Sequence, residues 1–238
     1  MAKKKKAAKK SAEVEQELKL QLSPRDLEKV FLVLRKKAVG KKVEHKYLPR
    51  AYFDTRDLLL YRNSISVRVQ YKQGKEGKIG AYEQTVKFDL PPEKGVVAGA
   101  FFRKECKDMV ATHIPALAKI TDAEGRAVAK RFRTKRLFHI FTAAIERRSF
   151  LLKVGRGKKE GVVEVAFDVG EIFLDAQGRR QGFSEIEIER VEGSPEAIHI
   201  AELLVRGLAR SAALQPLSKA QQGSRLYRAA NRRAKSRA

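Results

Sequence analysis

The sequence predicts an α+β fold, mainly β: an antiparallel barrel or strongly curved sheet with helices packed outside it. Three observations lead there. About eight segments alternate polar and apolar residues with a period of two, short turns separate them, and only two or three segments have helical periodicity. The polar faces of these strands hold both signs of charge and few neutral residues, while the helices need an apolar sheet surface to cover. An inverted arrangement follows, with charged side chains lining the interior and apolar ones facing the helices.

The first strand places Glu13, Glu15, Glu17 and Lys19 on one face and Val14, Leu18, Leu20 and Leu22 on the other. Acids beside a base could hold Mg²⁺ or Mn²⁺ and the phosphate it carries; the competing reading is a solvated charged face. Ser23 can cap a helix with Pro24 at its first position and Leu27, Val30, Phe31 and Leu34 as its buried stripe, ending near Gly40. Residues 47–72 read as two strands, the second with Ile65, Val67, Val69 and Tyr71 opposite Ser66, Arg68, Gln70 and Lys72. A glycine-rich hairpin loop at 73–80 leads into a strand at 81–88, where Glu83, Thr85 and Lys87 share a face. After a loop at 95–99, a strand at 101–107 aligns Arg103 with Glu105. Residues 113–136 read as helical or irregular.

Residues 138–154 supply one or two strands, with Arg147 and Ser149 opposite Phe150, Leu152 and Val154. A turn at 155–161 introduces Val163, Val165, Phe167 and Val169 against Glu164, Ala166 and Asp168. Beyond the turn at 175–178, residues 184–189 put three carboxylates on one face. Residues 195–211 read as a long amphipathic helix with Ile198, Ala201, Leu204 and Leu208 inward, and 214–223 as a short extended or turning segment before a basic tail. The organisation expected is a basic tail at 1–12, one domain at 13–224 and a second basic tail at 225–238.

The net charge is +24 and the pI about 10.2, which implies a polyanionic partner. Residues 1–12 contain six lysines and residues 225–238 six Lys or Arg, with no acid in either, so the body keeps about +12 of its own. The ends are read either as solvated charge runs or as weak, salt-dependent binders of nucleic acid or polyphosphate. Cys106 is the only cysteine, and His45, His113, His139 and His199 lack metal-ligand spacing, so neither a disulfide nor a thiolate zinc site is available within one chain. A reducing cytoplasm fits. No apolar run approaches membrane-spanning length, and no secretory h-region follows the lysine-rich start.

Eight elements recur in order: Glu15-Gln16-Glu17-Leu18-Lys19, Tyr52-Phe53-Asp54-Thr55, Gln84-Thr85-Val86-Lys87, Arg103-Lys104-Glu105, Phe141 with Arg147, Glu164-Val165-Ala166-Phe167-Asp168, Glu185-Ile186-Glu187-Ile188-Glu189 and Ser218-Lys219-Ala220-Gln221-Gln222-Gly223. Together they resemble the CYTH superfamily, or triphosphate tunnel metalloenzymes, most closely the bacterial inorganic triphosphatases, here without a CHAD domain. The resemblance implies an eight-stranded antiparallel β-barrel around a hydrophilic tunnel and metal-dependent hydrolysis of inorganic triphosphate, with related triphosphates or inorganic polyphosphate as further candidates. It assigns Glu15, Glu17, Glu185, Glu187 and Glu189 to the metal, and Lys19, Arg68, Lys87, Arg103, Arg147 and Lys219 to the triphosphate. It leaves Glu105, Glu164 and Asp168 as acids that could polarise the attacking water. Two positions depart from the pattern. Gln70 stands where a second arginine is usual, and Ser224 where a tyrosine follows the glycine. Two other readings share these residues: a class IV-like adenylyl cyclase, and a non-catalytic polyphosphate- or nucleic-acid-binding module.

Overall fold

The structure, a computed structural model, describes residues 12–72, 80–91, 98–175 and 178–235. Residues 1–11 of the first basic tail, most of the loops at 73–80 and 95–99, the middle of the turn at 175–178 and residues 236–238 lie outside the described residues, and Ala12 already belongs to the first strand. The elements run β1 (Ala12–Gln21), α1 (Pro24–Leu34), β2 (Glu44–Asp54), the single-turn α2 (Leu59–Arg62), β3 (Ile65–Lys72), β4 (Ala81–Asp89), β5 (Phe101–Val110), α3 (Ala123–Lys130), β6 (Phe138–Val154), β7 (Gly161–Leu174), β8 (Arg179–Gly193), α4 (Ala197–Leu208), β9 (Ala213–Leu214) and α5 (Lys219–Lys235). Strands β1 to β8 pair in the order β5-β4-β3-β2-β6-β7-β8-β1, all antiparallel, and β1 pairs again with β5 to close the ring. Closure leaves these strands without a long free edge. The two-residue β9 adds to β1 at Leu20 and Gln21.

The alternation in the sequence decides which way each strand faces. Leu18 and Leu20 of β1, Phe150 and Leu152 of β6, Val163, Val165 and Phe167 of β7, and Ile186 and Ile188 of β8 point outward under α1 and α4. Ser23 caps α1, its hydroxyl accepting from the Asp26 amide at 3.1 Å, and Leu27, Val30, Phe31 and Leu34 are the residues α1 buries. Each such side chain contributes roughly 1.5–3 kcal/mol. In α4 the inward positions are Ala197, Ile198, Ala201 and Val205; Leu204, expected inward, is exposed because the stripe steps by four from Ala201. Leu208 packs against the same core while partly buried. A second apolar cluster covers β3, β4 and β5 from outside and includes Leu60, Val67, Val69, Val86, Cys106, Ala129 and Phe132.

Cys106 is buried there, and burial, with Asp122 beside it, pushes its thiol up to about 12. A raised thiol pKa keeps the thiolate scarce at neutral pH. Alkylation of the folded protein at pH 8 should therefore proceed at least about tenfold more slowly than in denaturant, and equal rates by mass spectrometry would show that this wall of the ring opens readily.

Two features differ from the sequence expectation. The interior is not charged throughout: at one end it is filled by Leu48, Tyr52, Phe141, Ala143, Ile145, Ile172 and Leu174, the interior positions of β2, β6 and β7 on that side. Residues beyond 218 do not continue as an extended segment and a tail. They form α5, whose Ala220, Leu226, Tyr227 and Ala230 pack on this apolar plug. The helix can approach because Gly223 has no side chain: a Cβ there would lie 2.3 Å from the Phe141 ring, which in turn stacks on Tyr52 at 4.5 Å.

Candidate functional site

Above the plug, a cavity of about 620 Å³ runs inside the ring. Every strand of the ring sends it charged or polar residues. Glu13, Glu15, Glu17 and Lys19 come from β1, Lys46 and Arg50 from β2, Arg68, Gln70 and Lys72 from β3, and Glu83 and Lys87 from β4. Arg103, Glu105 and Lys107 enter from β5, Arg147 from β6, Glu164 from β7, and Glu187 and Glu189 from β8, while Ser218 and Lys219 reach in from the start of α5. Asp168 and Glu185 lie buried in the same network, hydrogen-bonded to Arg147 and Lys219 respectively. The fourteen residues that the motifs singled out thus occupy one connected interior.

Both signs are interleaved. Glu105, 1% exposed, accepts from Arg68 at 3.0 Å and lies 3.1 Å from Lys87 and in contact with Lys107. Burial would raise its pKa, but these cations outweigh it and hold the carboxyl well below the usual range. Lys87 also donates to Glu15 at 2.6 Å, and Arg103 to Glu17. Deeper, Lys19 donates to Glu187 and lies 3.5 Å from Glu17 and 3.7 Å from Glu185. Arg147 grips Asp168 with two hydrogen bonds, 2.7 Å from Nε and 2.6 Å from Nη2, and also reaches Glu187. Burial acts upward on Glu187 as well, and Arg147, Lys19 and Lys219 overcome it, holding the acid well below its ordinary value.

Glu189, Glu164 and Arg50 have no such partner among the described residues. Glu189 forms no ion pair among the described residues, and burial, with Glu15, Glu164 and Glu105 nearby, pushes its carboxyl up to about 8. Its strand neighbours in register are Glu17 and Glu164, so three acids meet across β1, β8 and β7. Arg50 is the counterpart of opposite sign. It sits opposite Gln70 in register and donates from Nε to the Gln70 amide oxygen at 3.3 Å, and among the described residues it forms no ion pair. Burial first, then Arg68 and Arg147, push it down to about 10. The sequence reading does not single out Arg50. Its only signal is a shared face with Lys46 and Tyr52, and that it stands beside Gln70 emerges only from the β2–β3 register.

The donor chemistry fits a hard cation. Asp168, Glu185 and Glu187 bring oxygen atoms within 4.8 Å of one another, a group that could hold a metal ion. Cations already crowd that group, whereas Glu189 and Glu164 form no ion pair among the described residues and have the least internal compensation. The set expected from sequence therefore divides: Glu185 and Glu187 lie with Asp168, while Glu15, Glu17 and Glu189 lie along β1 and the facing part of β8. Arg68 and Arg103 each keep a buried Nε–H without an acceptor, donors that an entering anion could satisfy.

A closed antiparallel ring that turns acids and bases inward around a cavity defines the class: a β-ring protein with an ionic interior. More specifically, the chain belongs to the CYTH domain family, whose model matches residues 13–224. Among solved structures, it is similar to a candidate adenylate cyclase from Bacillus halodurans, at 16% identity and TM-score 0.58, over 90% of this chain and 98% of that one. It is also similar to a candidate adenylyl cyclase from Hippeastrum, described as having a dominant triphosphatase activity, at 15% identity and TM-score 0.55, over 90% of this chain and 95% of that one. These likenesses concern the fold. No functionally curated protein matches the sequence. Among the described residues, no helix is long and apolar enough to cross a membrane.

Proposed function

We propose that the protein is a divalent-metal-dependent hydrolase of inorganic triphosphate or a related triphosphate, acting inside the ring. The observation that carries this reading is the interior itself. Buried carboxylates and cations neutralise one another around a cavity of about 620 Å³, with Arg50 and Glu189 left as a surplus cation and a surplus acid. A buried polyanion binder has no use for the acids, and a metal site alone has none for the bases. Substrate and metal together use both.

Lys19, Arg68, Lys87, Arg103 and Lys219 would exchange carboxylate partners for phosphate oxygens, Arg147 would exchange its Glu187 contact while keeping Asp168, and Arg50 would add a contact from the position that Gln70 leaves uncharged. Glu15, Glu17 and Glu189, with Glu185 and Glu187 below them, would hold Mg²⁺ or Mn²⁺, which supplies charge neutralisation at the phosphoryl oxygens. Of the three acids considered for water, Asp168 is committed to Arg147, and Glu105 is held firmly ionised and is correspondingly a weak base. Glu164 pairs with no cation among the described residues and faces Glu189 in register, which leaves it best placed to orient a water for in-line attack. No covalent nucleophile is required; positioning and electrostatics carry the step.

The test is phosphate release from triphosphate, ATP, thiamine triphosphate and long polyphosphate, with and without Mg²⁺ or Mn²⁺, for wild type and Glu17→Gln. Chelation should abolish turnover, and Glu17→Gln should lower it at least about a hundredfold, as for loss of a group that stabilises transition-state charge. Turnover that survives both changes would sink the mechanism. With ATP, release of pyrophosphate in place of phosphate would favour the cyclase reading instead.

A further inference from the structure

A second cavity, of about 380 Å³, opens on the outer surface between the 56–62 turn and α5, and shares no lining residue with the ring interior. Its walls are Arg56, Asp57, Leu58, Tyr61 and Arg62 on one side, and Tyr227, Arg228, Asn231 and Arg232 on the other. Four guanidinium groups therefore surround one recess. The single acid, Asp57, is already engaged by Arg62 and by the Thr55 hydroxyl at 2.7 Å. No carboxylate among the described residues pairs with Arg56, Arg228 or Arg232.

Both walls are built rather than incidental. Asp54, buried at the end of β2, accepts from the amides of Thr55 at 2.7 Å, Leu60 at 2.8 Å and Tyr61 at 2.9 Å, which fixes the turn that carries Arg56 and Tyr61. The opposite wall belongs to α5, anchored through Ala230 and Gly223 to the apolar plug. Positions 227, 228, 231 and 232 fall on one face of that helix by their spacing. Arg56 lies over the Phe138 ring at 4.7 Å, and Arg136 lies over the same ring at 5.1 Å, so positive charge continues from the recess onto the start of β6. Two half-buried tyrosines stand among the arginines, Tyr61 and Tyr227.

We infer that this recess is a docking site for single-stranded RNA, with Arg56, Arg62, Arg228 and Arg232 contacting phosphates and Tyr61 and Tyr227 offering rings for base stacking. Guanidinium groups would bind any phosphate chain, inorganic polyphosphate included. Rings placed between them serve a ligand that alternates phosphates with flat aromatic groups. The inference is independent of the triphosphatase reading for the arginines, none of which lines the interior; Tyr61 alone also borders a narrow cleft that Lys87 and Arg103 share.

The experiment measures binding of the full-length chain to a labelled oligouridylate of about twelve nucleotides with a 5′-hydroxyl end, across a salt series, alongside long-chain polyphosphate. Arg228→Gln with Arg232→Gln should weaken RNA binding about tenfold near 0.1 M salt and flatten the slope of log K against log salt by about 1.4, at about 0.7 for each phosphate that goes unneutralised. Tyr61→Leu with Tyr227→Leu, which keeps apolar bulk against the plug, should cost RNA at least about fivefold while leaving polyphosphate binding and the salt slope unchanged. Triphosphate turnover should match wild type in the arginine variant, which separates failure here from failure of the interior site. RNA binding unchanged by the arginine pair would overturn the proposal, since the charge would then reside elsewhere. A tyrosine pair that leaves RNA binding intact would overturn it too, reducing the recess to a generic phosphate binder.

Discussion

Arg50→Ala is expected to lower kcat/KM for triphosphate by roughly ten- to a hundredfold and, unusually for a substitution inside the ring, to leave thermal stability equal or higher. The two signs come from the same fact. Arg50 is desolvated, lies near Arg68 and Arg147, and makes its hydrogen bond to a neutral amide at 3.3 Å, with Asp168 and Tyr52 offsetting only part of the penalty. In the absence of an anion such a cation destabilises the fold, so its removal relieves repulsion. With a phosphate chain present, it makes a charge-assisted hydrogen bond worth about 1.5–3 kcal/mol, the source of the expected drop in kcat/KM. A second substitution tests the geometry. Gln70 lies directly opposite Arg50 in register, so Gln70→Arg in the Arg50→Ala background should recover most of the missing kcat/KM, by restoring one guanidinium to the same part of the wall. If Arg50→Ala lowers the melting temperature and Gln70→Arg recovers nothing, Arg50 is a structural side chain and the interior lacks the seventh cation proposed for it.

Arg50 also marks the limit of what period-two alternation can reveal. Strict alternation makes β1, β3 and β8 legible: Glu15, Glu17 and Lys19, Arg68, and Glu185, Glu187 and Glu189 all fall on the interior side that period two requires. The face of β2 that carries Arg50 instead mixes Lys46, Leu48 and Tyr52, because β2 crosses from the charged interior to the apolar plug within one strand. Periodicity cannot reveal such a crossing. The same plug explains why the sequence does not announce α5. Its apolar anchors, Ala220, Leu226, Tyr227 and Ala230, are few and separated by Gln, Arg and a glycine that looks like a helix breaker. Gly223 is there for a tertiary reason, the Phe141 ring, and local propensity yields to that packing. The basic tail expected at 225–238 is thus largely a structural element, and removing it would strip Leu226, Tyr227 and Ala230 from the core as well as removing charge.

The largest effect on stability is expected from Asp168→Asn. Asp168 is 0% exposed, its two carboxylate oxygens are held by Arg147 at 2.7 and 2.6 Å, and Lys219 lies 3.8 Å away. Breaking one side of a buried ion pair costs about 3–5 kcal/mol, and here it leaves the Arg147 charge with Glu187 as its one remaining carboxylate. For a chain of this size, that lowers the melting temperature by about 10 °C. Arg147→Met in the same chain should return part of that stability, since the penalty lies chiefly in the under-compensated guanidinium, while Glu187 keeps Lys19 as its partner; the coupling between the two substitutions is read from a double-mutant cycle. Glu189→Gln supplies the contrast within the same interior. Its carboxyl has no cation partner and is pushed up to about 8, so near neutral pH the amide imitates the protonated form already favoured. It should therefore barely move the melting temperature while sharply reducing metal-dependent turnover. Equal thermal shifts for Asp168→Asn and Glu189→Gln would show that the interior does not distinguish an ion-paired, structural carboxylate at Asp168 from an unpaired one at Glu189 kept for the cation.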